Sequence, residues 1–232
     1  MITLKVITNF YTGITDELRF VTVHSLTVTK KDTLIAVVTC HDIGLNPTIP
    51  SDWTKITSID STSGSTFIFM HQPTGTTTGP TYSVSGLGTS LHCGYITVLN
   101  GCYYLPNDVK NVVDEYTSQV STGTKATMTN SYTTTLKNTF MINYVSFLID
   151  VNTDDATWKC SPSLTLTERV DTGRTYGADT IHISMATAPL APIDTYSGFE
   201  VNFTPATSNE FMFLSLTIIP ELGNKVQAMC TM

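Results

Sequence analysis

The chain is poor in charge. Only 13% of its 232 residues are Asp, Glu, Lys or Arg, against roughly 25% in a typical soluble domain. The 12 basic residues are dispersed and the formal net charge is −7. That argues against a nucleic-acid partner, because phosphate binding needs clustered Lys and Arg to release counterions. The adjacent pair Lys30-Lys31 reads as a solvated turn between strands. Long apolar runs are missing too. No stretch reaches the ~18 apolar residues of a spanning helix, so no membrane insertion is expected. The first ten residues, Met1 to Phe10, lack the basic region, apolar run and small-residue cleavage site of a signal peptide.

Cysteine is sparse. The five present, Cys40, Cys93, Cys102, Cys160 and Cys230, are an odd number without metal-ligand spacing. Cys40 and Cys93 fall inside strand-like runs, where a thiol behaves as a small buried hydrophobe. Synthesis in a reducing cytoplasm is the expectation. Long helical periodicity is also lacking. Only Asp108 to Tyr116 has apolar residues at helical spacing, at Val109, Val112, Val113 and Tyr116. It predicts a short accessory helix that depends on packing.

Threonine is abundant, at 43 of 232 residues, and its β-branched side chain suits a pleated strand. Alternating or β-branched runs bounded by Gly, Pro, Asn and Asp predict strands over Val21–Val28, Thr33–Cys40, Thr54–Ile59, Ser65–His71, Thr81–Ser85 and Ser90–Leu99. A further set spans Thr124–Thr134, Thr139–Ile149, Leu164–Val170, Thr180–Ala186, Gly198–Thr204 and Glu210–Ile219. Strands this frequent, without alternating helices, mean an all-β sandwich or barrel.

The chain also contains two similar halves. Asp32-Thr-Leu-Ile-Ala-Val-Val38 parallels Asn138-Thr-Phe-Met-Ile-Asn-Tyr144, and Thr66-Phe-Ile-Phe-Met70 parallels Thr180-Ile-His-Ile-Ser184. Tyr82-Ser-Val84 matches Val201-Asn-Phe203, Cys93 to Val98 matches Met212 to Thr217, and Trp53 sits like Trp158. Two arrangements fit: tandem small sandwiches, or one jelly-roll-like sandwich of two interdigitated pseudo-repeated halves. The second is favoured, because a lone half leaves one face wet and its edges open. The expected organisation is an extension over residues 1–19, acting as a docking arm, and a sandwich over 20–220. The pseudo-repeats lie at about 21–105 and 124–220, and a tail covers 221–232.

Reactive constellations are not evident. His24, His41, His71, His92 and His182 lie on separate strands without a metal-binding pair, so no metal or other cofactor is expected. Cys40, His41 and Asp42 look like fragments of a triad, but neighbours on a strand point to opposite faces, and no G-x-S-x-G elbow is present. Asp150-Val-Asn-Thr-Asp154-Asp155 opens like a calcium loop, yet lacks the glycine and glutamate that complete one. An Asx-rich turn has the same composition. The acids Glu168, Asp171, Asp179 and Asp194 are not singled out as a glycosidase pair. Trp53, Tyr82, Tyr95, Tyr103, Tyr104, Trp158 and Tyr196 are aromatics that can stack on sugars, with Trp53 and Trp158 read as plugs sealing the sandwich. No catalytic residue is assigned, and the chain reads as a non-enzyme.

The run Asp32-Thr-Leu-Ile-Ala-Val-Val38, then Pro50-Ser-Asp-Trp53-Thr-Lys-Ile-Thr57, then Ser65-Thr-Phe-Ile-Phe-Met-His71 resembles a jelly-roll β-sandwich of tailed-bacteriophage virion proteins. Asn138 to Ile142, Leu166 to Arg169 and Leu214 to Ile219 continue the likeness, which spans nearly residues 20 to 220. Asp52 departs from it, standing where the pattern has glycine before the tryptophan. The resemblance implies a capsid-decoration, head-fibre or tail-accessory subunit, assembled in the host cytoplasm and located in the virion. Its implied partners are copies of itself and major capsid or tail proteins. The alternative is a tail-associated module that binds a receptor or host-surface glycan.

Overall fold

The computed structural model describes residues 1–8, 11–21, 26–148, 155–161, 164–176, 179–204 and 209–221. The first half runs β1 (Thr3–Ile7), β2 (Tyr11–Gly13), β3 (Glu17–Val21), β4 (Thr27–Val28), β5 (Asp32–Cys40), β6 (Thr54–Asp60), β7 (Ser65–His71), β8 (Thr77–Thr78), β9 (Thr81–Ser85) and β10 (His92–Asn100). A 3₁₀ turn, Val109–Val112, leads into the second half. That half runs β11 (Val113–Gly123), β12 (Lys125–Met128), β13 (Tyr132–Thr133), β14 (Thr139–Leu148), β15 (Asp155–Ser161), β16 (Thr167–Tyr176), β17 (Asp179–Ala191), β18 (Thr195–Thr204) and β19 (Asn209–Ile218). The fold is the expected all-β sandwich.

Every residue of β5 and β7 is buried. A strand with both faces covered needs apolar residues on both, so its sequence reads as a near-continuous apolar run. The two sets of side chains go to different cores. Ile35, Val37, Ile68, Met70, Tyr95 and Leu99 point to a central core shared with Ile142, Tyr144, Ile183, Met185, Leu214 and Leu216 of the second half. Leu34, Ala36, Val38, Phe67 and Phe69 point the other way, onto Leu18, Val28, Val84 and Trp53. In the second half, Met141, Val145, Phe147, Phe211 and Phe213 face a matching outer core with Met128, Tyr196, Phe199 and Val201. The result is four layers, with two large sheets back to back and a smaller set of strands over each outer face.

The two large sheets have the same topology. The first is ordered β1-β10-β5-β7-β6, with β2 also on β10, and the second β11-β19-β14-β17-β16. The covers correspond as well, β3 pairing with β9 and β12 with β18. Among the described residues, no sheet takes strands from both halves. The halves therefore stack face to face and do not interleave strands, a correction to the expected interdigitation. Stacking buries the same inner faces without threading one chain segment through another sheet.

The duplication is out of register by one residue in the alignment drawn from sequence. That alignment sets Ile35 against Met141, yet Ile35 faces the central core and Met141 the outer one. Side chains alternate with a period of two, so a one-residue slip exchanges the faces. Ile35 and Val37 correspond to Ile142 and Tyr144.

Residues 1–19, expected as an extension, belong to the sheets. β1 pairs with β10, β2 adds to the same strand, and β3 pairs with β9. Lys5 Nζ donates to Asp32 Oδ2 at 2.9 Å, and Asn100 Nδ2 donates to Asp32 Oδ1 at 3.0 Å. One buried carboxylate thus ties β1 to β5 and β10. Asp108 to Tyr116 is likewise not a helix. It forms the 3₁₀ turn and then enters β11, because so few residues cannot nucleate an α-helix and the valines favour extended backbone. The strand expected over Val21–Val28 is divided between β3 and β4, with residues 22–25 outside the described set. The tail 222–232 lies outside it too.

Four of the five edge strands of the large sheets carry a register shift; the three-residue β2, also on the edge of β10, has none. The shift falls between Leu4 and Val6 in β1, Lys55 and Thr57 in β6, Val113 and Glu115 in β11, and Glu168 and Val170 in β16. The residues left unpaired are Lys5, Ile56, Asp114 and Arg169. Such bulges twist an edge away from any strand that would extend it.

Candidate functional site

A cavity of about 740 Å3 opens where the cover strands of the first half meet the connection between halves. Its walls come from the turn before β6, the end of β7 and the segment after it, and β9, with Pro106 and Asn107 from the connection. The turn is built by Trp53 N–H donating to the Pro50 carbonyl at 2.9 Å. Asp52 fits it at negative φ, since Asn138 is the sole non-glycine with positive φ among the described residues. Its carboxylate is 58% exposed and lies 3.5 Å from His71 Nε2, whose own side chain is 6% exposed.

The wall around His71 is rigid. His71 Nδ1 donates to the Asp52 carbonyl at 2.8 Å. The Trp53 ring stacks on the imidazole at 5.4 Å and meets Tyr82 edge-on at 5.0 Å. Burial, with the nearby Asp52 charge, pushes the Tyr82 phenol up to about 12, so it stays a neutral donor. The next residue, Gln72, is buried and clamps the connection. Its Nε2 donates to the Tyr103 carbonyl at 2.6 Å and to Thr33 Oγ1 at 2.9 Å, while Leu105 N–H donates to its Oε1 at 2.6 Å.

The described histidines do not converge. His92 is buried with Nδ1 3.1 Å from the Ser90 carbonyl, and burial pushes its imidazole down. His182 is buried in the second half, 2.5 Å from Asp171 Oδ1 and stacked on Phe147. His24 lies outside the described residues. Among those described, no three His, Cys, Asp or Glu side chains gather as for a metal ion. The calcium-like loop Asp150 to Asp154 is outside the described set, and Asp155 begins β15.

The other sequence candidates separate in the same way. The Cys40 thiol sits in the first outer core, donates to the Ser65 carbonyl at 3.6 Å, and is pushed up to about 12, chiefly by burial. Burial also raises the thiols of Cys93, Cys102 and Cys160, so none is an activated nucleophile. Asp171 is engaged by His182, Asp194 Oδ1 accepts from its neighbour Thr195 N–H at 2.7 Å, and Glu168 is exposed on an edge strand. The side chain of Asp179 is outside the described set.

Of the aromatics, Tyr95 and Tyr196 are buried in separate cores, while Tyr82 lines the cavity with Trp53 behind it. Trp158, expected to mirror Trp53, lies within β15 and meets Phe213 edge-on at 5.8 Å. Both tryptophans close an outer core, from different elements. The cavity itself was not read from the sequence.

No helix among the described residues is long and apolar enough to cross a membrane. Comparison of the chain with protein-family models, with curated proteins and with solved structures found no match.

Proposed function

We propose that the chain is a non-catalytic structural subunit of a tailed-phage virion, a capsid-surface decoration or head-fibre protein. It works by contact with copies of itself and with capsid or tail proteins. The observation that best supports this reading is the bulge in β1, β6, β11 and β16, four of the five edge strands of the two large sheets. Subunits held side by side at high local concentration face a constant hazard of edge-to-edge strand addition. Guarded edges leave association to loops and faces. There the surface offers isolated apolar side chains, with Ile43, Tyr116 and Ile193 each about half exposed, on a background poor in charge.

Particles purified from lysate and labelled with antibody against the chain test this by negative-stain microscopy. Label repeated over the head supports it. A chain that fractionates away from all particles overturns it. A second reading, a tail-associated module that binds a host-surface glycan, is favoured by the polar cavity beside His71. Label confined to the tail tip would select it.

A further inference from the structure

We propose that the cavity between Asp52, His71 and Asn107 binds a neutral polyhydroxylated ligand, a pyranoside. This deepens the second reading and rests on it. Ligand class follows from the lining. It contains no lysine or arginine among the described residues, so an anion meets no fixed positive charge. It contains one carboxylate, Asp52, whereas a calcium ion takes six to eight oxygen ligands, several of them charged. What remains is hydroxyl and amide groups on short side chains, which both donate and accept. A sugar hydroxyl needs both.

The arrangement of His71 and Asp52 adds a specific requirement. A carbonyl only accepts, so the bond to the Asp52 carbonyl places the ring proton on Nδ1. The ring Nε2 lies 3.5 Å from Asp52 Oδ2, so the two groups present one polar edge to the cavity. A ligand hydroxyl, which both donates and accepts, suits that edge, and the other carboxylate oxygen takes a neighbouring hydroxyl through a charge-assisted bond.

The site is also formed in advance. Trp53 stacks on the imidazole, Gln72 clamps the connection that leads to Pro106 and Asn107, and Pro73, Pro80 and Pro106 stiffen the lining. Little ordering is left to oppose binding. The volume of about 740 Å3 lies within the usual range for small-ligand sites.

The test is amide-resolved NMR of the full chain with methyl α-glucopyranoside, methyl α-mannopyranoside and N-acetylglucosamine. Glucuronic acid and sialic acid serve as acidic counterparts, and maltohexaose as an extended neutral chain. The expected result is that at least one neutral sugar moves the amides of 51–54, 71–77 and 107. Asp52→Asn should then weaken it by about tenfold or more, and Tyr82→Phe should weaken it less. The melting temperature of Asp52→Asn should be unchanged, since that carboxylate is largely exposed. A stronger response to maltohexaose than to the monosaccharides marks a surface glycan as the source, and an equal response marks a free sugar. Binding that Asp52→Asn leaves intact, shifts mapping elsewhere, or a response to acidic sugars alone overturns this site while leaving the glycan reading in place. No movement with any probe overturns both.

Discussion

Glu210 of the second half accepts a hydrogen bond from the Thr62 amide of the first at 2.9 Å, and another from Thr62 Oγ1 at 2.8 Å. Ser63 Oγ donates to the same oxygen at 3.3 Å. One carboxylate thus holds the turn between β6 and β7 against the start of β19. Partial burial pushes its pKa up, but these bonds outweigh it and the net displacement is downward. A depressed carboxylate stabilises the fold above its unfolded value and loses that contribution as pH falls through its folded value. Glu210→Gln should lower stability by about 1 kcal/mol at neutral pH, the group being partly exposed. Urea melts across pH should show wild type and variant converging below about pH 4. A gap independent of pH would refute the clasp.

Asp32 is the buried counterpart. Its carboxylate receives Lys5 Nζ, Asn100 Nδ2 and the Thr29 amide at 2.8 to 3.0 Å. Burial raises its pKa, the bonds to Lys5, Asn100 and Thr29 lower it, and the balance is downward. Asp32→Ala strands donors from three segments and should cost about 3 kcal/mol. Because the charged form is the stabilising one, wild type should lose this advantage as pH falls below the ordinary carboxylate range. Hydrogen exchange should show β1 released first in the variant. Unchanged protection over Thr3–Ile7 would contradict the assigned anchor.

The central core carries a chain of hydroxyls linking the halves. Thr39 Oγ1 lies 2.9 Å from Thr66 Oγ1, which lies 2.6 Å from Ser146 Oγ. Removing Thr66, the middle member, takes the partner from both Thr39 and Ser146, so Thr66→Val should cost about 1–3 kcal/mol. Ser146→Ala should cost less in that background than in wild type, because its partner is already gone. A double-mutant cycle in chemical denaturation gives the coupling, and strict additivity would show that the contact carries no energy.

Gly94 and Gly75 form a contrasting pair. A Cβ on Gly94 would stand 2.2 Å from the Val37 carbonyl oxygen of the adjacent strand, whereas one on Gly75 meets nothing within 4 Å. The backbone at Gly94 cannot retreat without breaking the β5–β10 ladder. Gly94→Ala should cost more than about 3 kcal/mol or prevent folding, and Gly75→Ala should change stability by less than about 0.5 kcal/mol. Similar melts for the two variants would show the close approach to be absent.

Much of the strand content was legible along the chain. Ser65–His71 and Thr81–Ser85 have the boundaries expected from their runs, because β-branched and aromatic side chains between turn residues leave few other conformations. β11 was missed because Val113–Gly123 is mostly half-buried and polar, so it shows no strong alternation. β15 was missed because its run, Asp155–Ser161, is short and mixed. The cavity was not legible, since its lining comes from segments spread between Val28 and Asn107.

By itself the sequence determined the class: short hydroxyl-rich strands, apolar on both faces in the centre of each half, repeated twice. Those are local properties, set by side-chain shape and the two-residue period of a strand. Only the tertiary structure decided how the halves meet and which residue answers to which across the repeat. Strand exchange and face-to-face stacking bury the same side chains, so the hydrophobic pattern is identical for both. The choice lies in backbone pairing and long-range contact, as between Glu210 and the turn at Thr62, which no local run of residues encodes.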